Sequence, residues 1–114
     1  MIATRDRLAN SRQIKRVLQK GVTRSGSFFR LKALRNPRLL SSSRLAVVVS
    51  KKISNKAVVR NLIKRRSGAV FAGELGKTVG YDIVVFPSRL VESADFEKLK
   101  EDAKQCLRNL AFLR

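Results

Sequence analysis

Histidine and tryptophan are absent from this 114-residue chain, and cysteine occurs once. Without histidine the commonest general base and metal ligand is missing. Cys106 alone cannot close an internal disulfide, nor assemble a Cys/His metal site or a thiol-protease pair. A lone thiol suits a reducing compartment, and a cytoplasmic location is expected. No apolar run approaches the ~18 residues needed to cross a bilayer, and residues 1–10 have no signal-peptide core, so neither membrane insertion nor secretion is expected. Carboxylates are also scarce, with 8 Asp and Glu against 26 Lys and Arg for a net charge of +18.

What is present is enough to fold. Apolar residues make up 44% of the chain, so it is expected to form one domain over residues 1–114 rather than remain a disordered polycation. Self-repulsion at this charge disfavours a compact state unless a polyanion screens it, which points to nucleic acid as partner. The charge is also segregated. Residues 7–73 hold 18 Lys and Arg and no Asp or Glu, whereas residues 74–114 hold seven of each sign. A solvated face ordinarily interleaves the two signs, so a stretch this long without a carboxylate reads as a polyanion-binding surface. The same stretch offers no general base and no acidic ligand for Mg²⁺, so the protein is not expected to cleave anything alone.

The pattern of residues predicts an α+β fold in the order α-β-β-α-β-α, with helices packed on a single sheet. Asn10 or Ser11 caps a helix to Lys20 that carries Ile14, Val17 and Leu18 on one side, and Gly21 ends it. From Ser27 to Arg35 a strand alternates Phe29, Leu31 and Ala33 against Phe28, Arg30, Lys32 and Leu34, so its second face is wet or carries a ligand. Asn36-Pro37 and the serines 41–43 make a turn and loop, and Arg44 to Lys51 follows as a buried strand. Ser54 or Asn55 caps a helix over 57–72 that Gly73 or Gly76 stops, and Tyr81 to Pro87 forms the third strand. Ser93 caps the last helix, with Asp95 and Glu97 in its first turn. Its apolar stripe runs through Phe96, Leu99, Ala103, Cys106, Leu107 and Leu110, which makes Cys106 a buried, inert thiol.

Winding residues 57–72 as a helix gathers Val58, Val59, Leu62, Ile63, Ala69 and Val70 on one arc. Arg60, Asn61, Lys64, Ser67 and Gly68 fall on the other, with Arg65 at the border. Lys51, Lys52 and Lys56 precede its N-terminus, where the helix dipole adds positive potential for phosphates. Arg66 falls within the apolar arc: either the helix ends or distorts near Ser67-Gly68, or this arginine has a partner.

The run from Val48 through Ser50-Lys51-Lys52 to Arg60-Asn61-Leu62-Ile63-Lys64-Arg65 resembles the signature of the bacterial ribonuclease P protein component family, a V-S-K-K strand end leading into an R-N-R-I-K-R helix. Arg7-Leu8, the Gln13 to Gly21 helix end, Phe28-Phe29, Arg44-Leu45, Gly80-Tyr81-Asp82-Ile83-Val84-Val85 and the closing amphipathic helix agree in order. The resemblance spans nearly the whole chain. It implies a ribosomal-protein-S5-domain-2-like fold, with a βαβ crossover around the basic helix that is left-handed where the general rule favours right-handed.

The resemblance further implies a non-catalytic subunit of a ribonucleoprotein endoribonuclease. Its partners would be the ribonuclease P RNA subunit, which carries the chemistry, and precursor tRNA, whose 5′ leader is removed. Mg²⁺ would be held mainly by the RNA subunit and the substrate, and no stable protein partner is expected. Carried onto this chain, the RNA-binding positions are Lys51, Lys52, Lys56, Arg60, Asn61, Lys64 and Arg65, and the leader cleft comprises Ile14, Leu18, Phe29 and Lys32. Two departures stand out. Leu62 replaces the second arginine of the motif, with Arg66 a candidate replacement for the missing charge. Ile14, Leu18 and Lys32 stand where family members often carry aromatics, which weakens base stacking and leaves Phe29 as either a stacking platform or a core residue. A structural ribosomal RNA-binding protein is the alternative function, and a double-stranded DNA module, lacking a helix-turn-helix or zinc motif, ranks third.

Overall fold

Asn10 starts the first helix, α1 (Ser11–Lys20), by accepting the backbone N–H of Arg12 at 2.9 Å and of Gln13 at 3.4 Å. This computed structural model describes residue 8 and residues 10–39, 43–75 and 78–110; Arg7, Leu40, Ser41, Ser42 and the alternative helix stop Gly76 lie outside the described residues. The remaining elements are β1 (Val22–Ser25), β2 (Phe29–Arg35), β3 (Arg44–Val47), α2 (Ala57–Glu74), β4 (Tyr81–Pro87), a 3₁₀ turn over Arg89–Glu92, and α3 (Phe96–Leu110). The fold is α+β with one four-stranded sheet and three helices, in the strand order β1-β2-β4-β3. Strand β4 pairs antiparallel with β2 and parallel with β3, so α2 is the crossover of a βαβ unit.

Four details correct the expected element list. The order is α-β-β-β-α-β-α, because β1 pairs antiparallel with β2 from Val22↔Ala33 to Ser25↔Arg30. The strand expected over residues 44–51 ends at Val47, and Ser50 to Ile53 form a turn closed by the Ile53 N–H on the Ser50 carbonyl at 3.1 Å. The N-cap of α2 is Lys56, without a side-chain bond, and Ser54 Oγ instead accepts the Lys56 N–H at 3.2 Å. Ahead of α3, Asp95 rather than Ser93 supplies the side-chain acceptor, taking the Glu97 N–H at 3.2 Å.

The two faces of the sheet are covered unequally. Phe29, Leu31, Leu45, Ile83 and Val85 point to the main core with Ile63, Val70 and Phe71 of α2 and Leu99, Ala103 and Leu107 of α3. On the opposite face Val84 packs with Leu8 and Val17, bordered by Ile14, Leu18, Leu34, Ala46 and Phe86. There α1 is the main helical cover. The buried stripe of α2 is rotated from the expected arc: Val58 is 81% exposed and Ala69 is exposed, while Ser67 and Gly68 are buried. Ser67 is accommodated there because its hydroxyl donates to the Ile63 carbonyl one turn back, at 2.7 Å.

Candidate nucleic-acid interface

Rotation of α2 about its buried stripe leaves Asn61, Lys64 and Arg65 exposed beside the edge strand β3. They border a cavity of about 720 Å³ whose apolar lining comes from Leu8, Ile14, Leu45, Ala46, Val47, Val48, Gly68 and Ala69. The site therefore joins three of the expected RNA-binding residues to one of the expected cleft residues, Ile14. Lys51, Lys52 and Lys56 are exposed on the segment entering α2. Among the described residues the ion pairs Arg44–Asp82 and Arg89–Glu92 leave all of these cations uncompensated.

Arg60 behaves differently. It is half-buried, and its guanidinium donates to the Ser54 carbonyl at 2.9 Å. Arg89 reaches the neighbouring Ile53 carbonyl at 3.4 Å. Two arginines thus brace the backbone of the segment that displays Lys51, Lys52 and Lys56.

Arg66 does not replace the charge missing at Leu62. It turns away from the exposed face and donates to the backbone carbonyls of Glu92, at 2.8 Å, and Ala94. Of the two readings left open by the sequence, the structure supports the partnered arginine, because α2 continues unbroken to Glu74. The partner is a pair of main-chain oxygens, one at the end of the 3₁₀ turn and one just after it, 26 and 28 residues away.

Of the four cleft positions, Ile14, Leu18 and Lys32 lie on the α1 side of the sheet. Lys32 donates to the Leu18 carbonyl at 3.0 Å, placing its ammonium against the C-terminal turn of α1, where the helix dipole favours a cation. Phe29 is not part of this group: it is 1% exposed in the main core, its ring edge-on to Phe71 at 4.9 Å and 79°. Strand alternation had already put Phe29 and Lys32 on opposite faces. The aromatic that does stand on the α1 face is Phe86, half-buried, with the guanidinium of the directly opposed Arg30 5.1 Å from its ring centre. Its signal in the sequence was shared parity with Val84 within the β4 run.

No three His, Cys, Asp or Glu side chains come together as a metal-binding group among the described residues. Asp82 is taken by Arg44, at 2.9 and 3.2 Å, and by the Asn36 amide at 3.0 Å, while Asp102 accepts three backbone N–H groups. Those two carboxylates are committed to structure and do not fit a Mg²⁺ site. Cys106 is buried, and burial, reinforced by the charge of Asp102, pushes its thiol up to about 11. A nucleophilic role has no support there.

The family model for ribonuclease P matches residues 2–111. The chain belongs to the ribonuclease P protein family. It is 32% identical over 108 residues to the ribonuclease P protein component of a Pseudanabaena species, covering 94% of this chain and 92% of that one. The corresponding protein of Pseudarthrobacter chlorophenolicus is 38% identical over 112 residues, covering 90% of this chain and 74% of its own length. Among solved structures, the Thermotoga maritima RNase P protein superposes with a TM-score of 0.78 at 30% identity, over 90% of this chain and 96% of that one. The Staphylococcus aureus RNase P protein superposes with a TM-score of 0.77 over 96% and 98% of the two chains; at 22% identity it shows the shared fold alone. No helix among the described residues of this ribonuclease P family member is long and apolar enough to cross a membrane.

Proposed function

We propose that this chain is the protein subunit of a cytoplasmic ribonuclease P, binding the catalytic RNA subunit and the 5′ leader of precursor tRNA. In that role it assists the Mg²⁺-dependent endonucleolytic removal of the leader, which yields mature tRNA 5′ ends. The observation that carries this reading is the row of uncompensated cations, Lys64 and Arg65 with Lys51, Lys52 and Lys56 nearby, bordering an apolar groove. Cations alone favour any polyanion. An apolar groove beside them favours a single strand whose bases need a dry surface and whose phosphates need charge.

In this reading Lys51, Lys52, Lys56, Lys64 and Arg65 neutralise RNA phosphates, Asn61 supplies a hydrogen-bonding amide on the same face, and Arg60 holds the preceding segment in place. The leader is assigned to the apolar groove that Ile14 of α1 shares with β3 and α2, with Leu18, Lys32 and Phe86 on the same face of the sheet. Mg²⁺ is assigned to the RNA subunit and the substrate, where it supplies an activated water for attack on the scissile phosphodiester. The protein's share is electrostatic: lowering phosphate repulsion where substrate and catalytic RNA approach.

The test is cleavage of 5′-labelled precursor tRNA by a bacterial ribonuclease P RNA at low Mg²⁺, with and without the protein, beside a protein-only control. Strong stimulation with the expected mature 5′ end, and no cleavage by protein alone, is the expected result. Absence of stimulation with every RNA subunit tried, together with retained ribosomal RNA binding, moves the chain to a structural ribosomal role.

A further inference from the structure

We infer that the outward face of α1 is a second RNA-binding surface, which takes the phosphate backbone of a double-helical segment of the catalytic RNA. This rests on the reading of the chain as a ribonuclease P subunit and adds a surface separate from α2. At 100° per residue Lys15, Gln19, Arg12, Arg16 and Lys20 fall within an arc of about 140°, and all five are exposed. The opposite side of the helix, through Ile14, Val17 and Leu18, is occupied by the sheet.

The arrangement is unfavourable for an isolated helix. Arg12 and Arg16, and Arg16 and Lys20, repel at four-residue spacing, and Arg12 and Lys15 at three. Arg12 also stands in a first turn that holds no acidic residue, where the helix dipole disfavours a cation. None of the four forms an ion pair among the described residues. Solubility does not require one helix face to carry a single sign, since interleaved charges serve it as well, whereas a polyanion relieves every one of these repulsions.

The chemistry of the face selects the kind of RNA. It has cations and one amide but no aromatic or large apolar side chain, so it offers unstacked bases nothing to rest on. A duplex turns its phosphates outward and is recognised by shape, and the four cations span about 12 Å of rigid helix. The single-stranded leader is assigned to the apolar groove bordered by Ile14, β3 and α2, so the outward side of α1 is left for the other RNA of the complex.

The experiment uses the full chain with Arg12→Gln, Lys15→Gln, Arg16→Gln and Lys20→Gln combined, since glutamine preserves helix propensity. Circular dichroism and thermal unfolding establish that the variant folds. Affinity for the ribonuclease P RNA subunit alone is then measured against KCl concentration for wild type, this variant and Lys64→Gln. The expected result is a log–log salt slope shallower by about three to four and binding weakened by roughly tenfold or more for the quadruple variant, against about one unit for Lys64→Gln. Unchanged slope and affinity in a folded quadruple variant, with wild type and Lys64→Gln behaving as expected, overturns the second surface and leaves the subunit assignment intact. A loss seen only in the affinity of the assembled complex for precursor tRNA overturns it too, by assigning the face to substrate. Failure of wild type to bind the RNA subunit removes the functional reading itself, and this inference with it.

Discussion

The carboxylate of Asp102 on α3 accepts the backbone N–H of Phe29 at 3.1 Å, across 73 residues of sequence, and takes the N–H groups of Ser27 and Phe28 at 2.7 and 2.9 Å as well. One side chain thereby closes the turn between β1 and β2, and a Cβ added at Gly26 would run into it. Asp102→Ala leaves three donors without an acceptor and is expected to destabilise the fold by about 2–4 kcal/mol, read as a lower urea midpoint at unchanged m-value. Asp102→Asn should cost less, because the amide oxygen keeps part of the set. An unshifted midpoint for the alanine variant rules out this account of the turn.

Phe29 and Phe86 separate stability from binding. Phe29→Ala opens the core against Phe71 and is expected to cost about 3–5 kcal/mol. Phe86→Ala, at a half-exposed position, should cost about 1 kcal/mol. Phe86→Ala should also lower the preference of the assembled complex for precursor over mature tRNA several-fold, in line with one stacked base worth about 1–3 kcal/mol. An unchanged preference excludes Phe86 from the leader groove.

Arg60 and Lys64 are charged alike but held differently. Lys64→Ala should weaken binding of the RNA subunit and reduce the salt slope by about one. Arg60→Ala is expected to weaken binding while changing the slope less, because its guanidinium is spent on the Ser54 carbonyl. Arg60→Lys, which keeps the charge, should fail to restore wild-type affinity, since a lysine cannot reproduce the planar donor geometry. Full rescue by lysine makes Arg60 an ordinary phosphate contact.

Cys106 gives the fold a pH dependence at the alkaline end. Its thiol is raised from 9.0 to about 11 in the folded protein, so the unfolded chain releases this proton first as pH rises. The contribution is complete below about pH 9 and is lost toward pH 11. Wild type should therefore lose stability across that window more steeply than Cys106→Ala. Parallel stability profiles for the two proteins count against the burial described here. The folded thiol should also resist alkylation at pH 8 and react on denaturation.

Much of the architecture was legible because local chemistry and tertiary context agree. Asn10 and Gly21 bound α1 as their cap chemistry suggests, and β4 runs over Tyr81–Pro87 as its apolar run suggests. Strand β1 was not legible: Val-Thr-Arg-Ser is short and largely exposed, and only its pairing with β2 makes it a strand. The rotation of α2 was not legible, because apolarity alone does not fix the direction in which a helical residue faces. Val58 is apolar but near the exposed start of the helix, while Ser67 and Gly68 are small enough to face the core. The resemblance assigns Phe29 to the leader cleft with Lys32, whereas its parity in the strand sets it on the opposite face, in the core. Arg66 stands out by its place in the apolar arc, but main-chain oxygens 26 and 28 residues away are not visible to any local pattern.

The bonds of Arg66 to the Glu92 and Ala94 carbonyls act as a pin through the middle of α2. Sliding the helix by one residue, or turning it to present a different arc, breaks both bonds and strands a half-buried guanidinium. The offsets of Asn61, Lys64 and Arg65 from the edge strand are thus established before any RNA arrives. In the proposed complex this makes the protein a fixed gauge for phosphate spacing, and conformational adjustment on assembly falls to the nucleic acid.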